Sequence, residues 1–346
     1  MSKTVLGWDI GGAHLKAVLV DGDCKVLHVW QFATPLWQGL DQLTAAMESI
    51  CNTLHAPPTM HAVTLTAELA DIFPDRRSGV TEITQTVSER LHNLFFYAGP
   101  RGFVIPDDVT HHHAQIGSAN WFASAAYVAQ RVRNGLFVDL GSTTCDLIPL
   151  HDGKVCNRGY SDAERMQHHE LVYTGVVRTP LMALGSHVAF AGRQCPLAAE
   201  HFATTADIYR LTGELDAISD LADTADGKGK TLEESARRLA RMLCHDMADA
   251  SMSEWAELAR AFRQLQLEKL VAAAHTQFEV HGLYLEGPIV AAGAGSFLAQ
   301  ALAEQLGHDC LSVAELITAE TPELTQQAGV CFPAYAVARL VQGSST

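Results

Sequence analysis

The sequence predicts an α/β chain of two related domains. Three observations carry this. The chain opens with short β-rich runs joined by glycine turns, and the same strand–turn–strand opening returns 130 residues later, around Asp9 and Asp139. Between such runs, apolar residues recur with helical spacing. The 346 residues, 48% hydrophobic and 18% charged, suit two ordinary domains with a sizeable core.

Thr4–Ile10 is an apolar strand ending at Gly11-Gly12, His14–Asp21 a second, and Lys25–Phe32 a third beyond the Asp21-Gly22-Asp23 turn. An antiparallel meander thus opens the chain. Leu40, Leu43, Met47, Ile50, Cys51 and Leu54 share one helical face over 39–54. A strand is predicted over 62–66, a helix over 80–96 and a short strand over 102–105. Ser118 is placed as the cap of a helix over 119–133. The pattern restarts with strands over 135–140, 144–150 and 154–157. From about 204 the chain reads as largely helical, with Thr231/Glu234 and Ser251/Glu254 as capping boxes. Asp223–Lys230, polar and glycine-rich, reads as a mobile loop. A helix over 254–278, a buried strand over 288–292, a helix over 297–306, a strand over 309–313 and a closing helix over 325–341 complete the chain.

Composition excludes several functions. With 24 Lys+Arg against 39 Asp+Glu the net charge is −15, which argues against a nucleic-acid binder and against docking on anionic lipid. No run of about 18 apolar residues reads as a membrane span, no leader pattern precedes the first strand, and a cytoplasmic location is expected. Eight scattered cysteines read as reduced thiols rather than a disulfide framework or zinc site. His111-His112-His113 cannot all face one ion.

Three pieces carry chemistry: Asp9-Ile10-Gly11-Gly12-Ala13-His14-Leu15-Lys16, Asp139-Leu140-Gly141-Ser142-Thr143-Thr144-Cys145-Asp146, and Gly293-Ala294-Gly295-Ser296 after a buried strand. In the first two an Asp ends a strand and a hairpin of small residues follows, so backbone amides can approach an anion. Asp9 and Asp139 at such tips are candidate Mg²⁺ ligands, since that ion prefers a few carboxylates plus phosphate oxygens. Gly11, Gly12, Gly141, Ser142, Thr143 and Thr144 are the candidate anion contacts, and Lys16 adds a cation for phosphate. Gly293, Gly295 and Ser296 put a helix N-terminus at the same ligand.

In this order and spacing the three pieces resemble the acetate/sugar kinase, heat-shock chaperone and actin superfamily. That resemblance implies two ribonuclease-H-like domains (actin/sugar-kinase type) around a central cleft: residues 1–133, residues 134–324 with a helical insertion at about 204–280, and a closing helix over 325–346 packed near the first. The blocks GWDIGGAHLKAV, VDLGSTTCDLIPL, ELVYTGVVRTP and HFATTADIYRLTGEL are similar to the hydantoinase/oxoprolinase group, in the branch linked to tetrahydromethanopterin-dependent one-carbon transfer. The characterised archaeal members of that branch are enzymes of methanofuran biosynthesis. The resemblance implies a transferase that joins γ-glutamyltyramine, through its phenol, to 5-(aminomethyl)-3-furanmethanol diphosphate, forming an aryl ether and releasing diphosphate.

On that reading Asp9, Asp139 and Asp146 hold Mg²⁺ and neutralise the departing oxygens. Lys16 and Arg178 add positive charge, and Arg178 or Arg193 receives the γ-glutamyl carboxylates. Asp207 and His14 are the two candidates for activating the phenol. The partners are these small molecules, with no nucleic acid or membrane, and self-association is left open. An ATP-dependent kinase or ATPase of oxoprolinase type is the alternative. Ala292 and Ala294, where nucleotide-binding relatives are richer in glycine, leave less room for adenosine.

Overall fold

The computed structural model describes residues 4–282 and 287–344. Two compact units divide the chain: the first holds residues up to Arg133, Leu150–Val155 and the chain from Ser312, and the second holds Asn134–Pro149 and Cys156–Leu311.

In the first unit β1 (Val5–Gly11), β2 (His14–Val20) and β3 (Val26–Ala33) form the opening meander. Next come α1 (Leu40–Thr53), β4 (Met60–Thr66), α2 (Arg76–Ser88), β5 (Leu94–Tyr97), β6 (Phe103–Val104), the single turn α3 (His113–Ile116) and α4 (Asn120–Ala129). The sheet order is β3-β2-β1-β4-β5-β6, antiparallel across β1–β3 and parallel from β1 to β4 to β5. This is the ribonuclease-H-like order expected. Alternation along the strands sorts their two faces. Trp8, Ile10, Leu15, Ala17, Val63 and Leu65 point into a core closed by Leu43, Met47 and Ile50 of α1 and Val80, Ile83 and Val87 of α2. Gly7, Asp9, Lys16 and Thr64 take the opposite face.

The second sheet repeats the scheme with β7 (Gly135–Leu140), β8 (Cys145–His151), β9 (Lys154–Val155), α5 (Asp162–Gln167) and β10 (Leu171–Val172). A separate two-stranded ribbon follows, β11 (His187–Phe190) with β12 (Arg193–Pro196). Then come α6 (Thr205–Thr212), α7 (Leu232–Met242), the 30-residue α8 (Met252–His281), β13 (Ile289–Ala292), α9 (Ser296–Leu306) and β14 (Cys310–Ser312). The sheet order is β10-β8-β7-β13-β14, with β9 on β8 and β13 parallel to β7. Leu136, Val138, Leu140 and Cys145 share one core with Ile208, Leu239, Trp255, Phe262 and Leu298 from α6 to α9. The expected capping boxes at Thr231/Glu234 and Ser251/Glu254 both form.

Finally α10 (Pro322–Val330) and α11 (Phe332–Ser344) return to the first unit, where α11 lies on β1, β2 and α4. A Cβ on Gly7 would overlap the Ala334 carbonyl, so strand and helix are in direct backbone contact.

Four expectations are corrected. The helix predicted over 80–96 ends at Ser88, and Leu94–Tyr97 joins the sheet after Asn93 turns through a left-handed conformation (φ 50). Ser118 does not cap a helix: it has φ 53, and its hydroxyl donates to Glu68 Oε1 at 2.7 Å. The closing helix is two, because Pro333 has no N–H to continue the ladder past Cys331. The loop 223–230 is tied down rather than loose: Asp226 accepts from Arg238 Nη1 at 3.0 Å, and Thr224 donates to the Lys228 carbonyl.

That loop closes a buried ion network. Asp207, 1% exposed, pairs with Arg210 and with Arg238, which is 0% exposed, while Arg210 also grips Asp220. Removing one member strands its partners' charge in the interior. Arg238→Ala is therefore expected to destabilise the protein by about 3 kcal/mol, read as a fall in the urea midpoint. A midpoint equal to the parent's would refute the network's structural role.

Candidate active site

The first tip is set by the sheet. Asp9 and Lys16 are register partners, and His14 lies two residues from Lys16 on the same face. Beyond the tip, the amide of Thr34 donates to the Ala13 carbonyl at 2.8 Å, and that of Leu36 to the Gly12 carbonyl at 3.0 Å. These two carbonyls are thus turned to the chain and not to a ligand. A Cβ on Gly12 would meet nothing within 4 Å, so the tip is open there.

Asp9 is 6% exposed. Burial pushes its carboxyl up to about 6, while Lys16 and a hydrogen bond from Asn120 oppose the rise. The Asn120 carbonyl oxygen meanwhile accepts the Trp121 amide at 2.7 Å, so this side chain is fixed at both ends. Lys16 Nζ donates to the Val330 carbonyl at 3.0 Å, at the break between α10 and α11, which leaves it two further donors. Cys331 is buried here too, its thiol pushed up to about 11 by burial.

The second tip is braced differently. Gly141 donates to the Thr144 carbonyl at 2.9 Å, closing the turn that holds Ser142 and Thr143. The amide of Val176 donates to the Gly141 carbonyl, and those of Val177 and Arg178 to the Ser142 carbonyl, at 2.9 to 3.1 Å. Here again the carbonyls next to the aspartate strand, those of Gly141 and Ser142, are consumed. Gly175 presses on this turn so closely that a Cβ would overlap the backbone of Ser142 and Thr143. The Gly175 carbonyl is held by Thr205 Oγ1 at 2.8 Å and Gln266 Nε2 at 3.0 Å, and Gln266 takes the Tyr209 hydroxyl at 2.6 Å. The block 173–180 thus clamps the hairpin. Arg178, exposed, emerges from it.

The third motif braces the same tip. Gly293 has φ +81, and a Cβ there would overlap the Asp139 carboxylate. The Gly295 amide donates to the Leu140 carbonyl at 2.8 Å and the Ser296 amide to Gly293 at 3.2 Å. Those two amides are therefore not offered to an anion, contrary to the expectation for this helix start.

Two further candidates are not at a tip. Asp207 is N3 of the Thr204 capping box and lies within the buried ion network, its Oδ1 receiving Arg210, Ser235 and Arg238. A carboxylate so engaged is no proton acceptor for a substrate. Arg193 sits on the separate ribbon, which pairs with no strand of the main sheet.

The tips fit Mg²⁺ in part. Asp9 Oδ1 is buried without a hydrogen-bond partner among the described residues, an acceptor that an enclosed donor or a hard cation would satisfy. Asp139 stands at the equivalent strand end. Asp146 does not fit. Its Oδ1 is claimed by Arg165, 3% exposed, so its charge is already neutralised. Burial pushes the Asp146 carboxyl up and Arg165 opposes it. Among the described residues no three His, Cys, Asp or Glu side chains gather around a metal position. An ion here would take one carboxylate from a tip and fill its shell with water and phosphate oxygens.

Asn120 and the clamp residues Gly175, Thr205 and Gln266 were not singled out from sequence. The clamp was signalled by the small-residue string Thr174-Gly175, and Asn120 only by a polar residue in the first turn of an apolar helix.

Two sheets of ribonuclease-H-like order, each with an Asp at its first strand's end and a hairpin of small residues, define an actin/sugar-kinase-type fold. The hydantoinase/oxoprolinase family profile matches residues 59–336, and the chain belongs to this family. Over 344 residues it is 30% identical to the (4-{4-[2-(γ-L-glutamylamino)ethyl]phenoxymethyl}furan-2-yl)methanamine synthase of Methanocaldococcus jannaschii, covering 99% of this chain and 98% of that one. The synthase of the same name from Methanococcus vannielii is 32% identical over 160 residues, 46% of this chain and 72% of that one. A nucleotide-free acetone carboxylase structure matches with a TM-score of 0.58 at 11% identity, covering 98% of this chain and 70% of that one. That likeness speaks for the fold alone.

Two outcomes follow. A folded state that binds the Asp9 proton more tightly than the unfolded chain loses stability as pH rises from about 4 to about 6. In chelator at pH 7, Asp9→Asn is expected to be more stable than the parent by roughly 2–3 kcal/mol, with the gap closing below about pH 4. Equal urea midpoints at pH 7 would contradict this. Gly175→Ala is expected to push the second tip out of place, lowering turnover about 10-fold or more while the far-ultraviolet circular dichroism is kept. Parent-like turnover would show the clamp to be dispensable.

Proposed function

We propose that the chain is a diphosphate-releasing transferase of methanofuran biosynthesis. It joins the phenol oxygen of γ-glutamyltyramine to the furylmethyl carbon of 5-(aminomethyl)-3-furanmethanol diphosphate. The product is the (furan-2-yl)methanamine ether for which the relative matched over its full length is named. One observation carries the reading. In both units the hairpin carbonyls are tied off by chain amides, beside an aspartate at the strand end. Tips with the Gly12, Ala13, Gly141 and Ser142 carbonyls occupied suit a polyanion, and a diphosphate is both bound and expelled in this reaction.

The bond that forms is phenol oxygen to furylmethyl carbon. The bond that breaks is that carbon to the diphosphate oxygen, which leaves with the electron pair. The furan ring spreads positive charge as the bond stretches. Mg²⁺ held at a tip aspartate, Asp9 or Asp139, would supply charge for the leaving diphosphate. Lys16 keeps two donors for a phosphate oxygen, and exposed Arg178 is the cation at the second tip. The phenol, with a pKa of about 10, must lose its proton. With Asp207 occupied, His14, on the Asp9 face, is the remaining candidate to take it.

Purified protein with Mg²⁺ and both substrates should release diphosphate and form the ether by mass, one for one. Asp9→Asn or Asp139→Asn should lower the rate by at least about 100-fold. No ether, with ATP consumed in a parallel reaction, would replace this reading with an ATP-dependent one.

A further inference from the structure

Behind the first tip, three buried oxygens share a predicament. Asp9 Oδ1, Thr64 Oγ1 and Ser124 Oγ have no hydrogen-bond partner among the described residues, and Thr64 and Ser124 are 0% exposed. Burying such groups unpaired is costly, and native proteins resolve most cases with an ordered water. The three come from adjoining elements. Thr64 is the register partner of Asp9 on the parallel neighbour strand. Both face away from the Trp8, Ile10, Val63 and Leu65 core. Ser124 lies one turn along α4 from Asn120, which bonds Asp9, and α4 packs on β4.

Ser124, like Thr84 of α2, departs from the usual pattern of a helix hydroxyl. Ser49, Thr81, Thr86 and Ser88 all donate back to the carbonyl four residues earlier. Ser124 makes no such bond. Asp9 and Thr64 do not bond directly either, although adjacent strands lie only about 4.8 Å apart. That spacing is bridged by one hydrogen-bonding atom that both donates and accepts. A water there has three protein partners, the number typical of buried waters.

We propose that Thr64 and Ser124 position Asp9 through one enclosed water molecule. The water donates to Asp9 Oδ1 and accepts from the Thr64 hydroxyl, and Ser124 completes its set. This fixes the carboxylate's rotation, with Asn120 holding its other side. The proposal rests on the reading of Asp9 as a metal-binding carboxylate, and it deepens that reading with residues that touch neither metal nor substrate.

Crystal structures of the metal-free parent, Thr64→Val and Thr64→Ser test it, together with Mn²⁺ titration calorimetry. Valine matches threonine in shape and suits a strand, so the fold is kept. The parent and Thr64→Ser should show one water within hydrogen-bond distance of all three oxygens. Thr64→Val should lose it, rotate Asp9 and bind Mn²⁺ roughly 10-fold more weakly, with Thr64→Ser near the parent. A parent with no water between these oxygens overturns the proposal, as does Thr64→Val with an unmoved Asp9 or with parent-like Mn²⁺ affinity. A parent that holds the water but binds no Mn²⁺ overturns the metal reading of Asp9, and the rotation of Asp9 in Thr64→Val then decides positioning by itself.

Discussion

A hairpin tip presents amides and carbonyls in nearly equal number, and to an anion these have opposite value. The structure depends on disposing of the carbonyls. In the first unit the chain leaving β3 does so, with the amides of Thr34 and Leu36 on Ala13 and Gly12. In the second, Val176, Val177 and Arg178 do the same for Gly141 and Ser142. The segments differ in sequence but both leave the edge strand beside the hairpin, β3 in one sheet and β10 in the other, and the result is the same. Each sheet ends in a turn with two of its acceptors spent, next to an aspartate.

The two units support their aspartates by different means. Asp9 stands on a face closed by helix backbone, where Gly7 lets α11 come down onto β1. Little water reaches it, and its carboxyl is held well above the usual range. Asp139 is instead confined by backbone, through Gly293 and its left-handed turn. One carboxylate is tuned by burial and the other by confinement. The third acid of the pattern, Asp146, is neutralised by Arg165 and supports the sheet.

Much of this was legible in the sequence. The twofold strand–turn–strand opening gave both sheets, because alternation and glycine turns are local signals. Asp9, Gly11, Gly12, Asp139, Gly141 and Gly293 stand at tips or turns as expected. What failed to show was non-local. The helix predicted through 80–96 stopped at Ser88 because Leu94–Tyr97 had a sheet edge to join. Asp207 looked like a reactive acid beside a helix start, and only the tertiary fold brings Arg238, 31 residues later, onto it. The hydroxyls of Thr64 and Ser124 look like filler in apolar runs, since nothing local marks an unpaired buried oxygen.

The bracing of the second tip runs through the helical insertion. Gln266 lies midway along α8, and with Tyr209 of α6 it holds the Gly175 carbonyl that presses on Ser142 and Thr143. The stiffness of that turn is therefore contributed by helices that lie outside the sheet. Insertions of this kind can be exchanged or remodelled while the sheet and its aspartate stay unchanged. One scaffold can then be retuned, from a firm tip to a yielding one, by altering residues that no ligand ever meets.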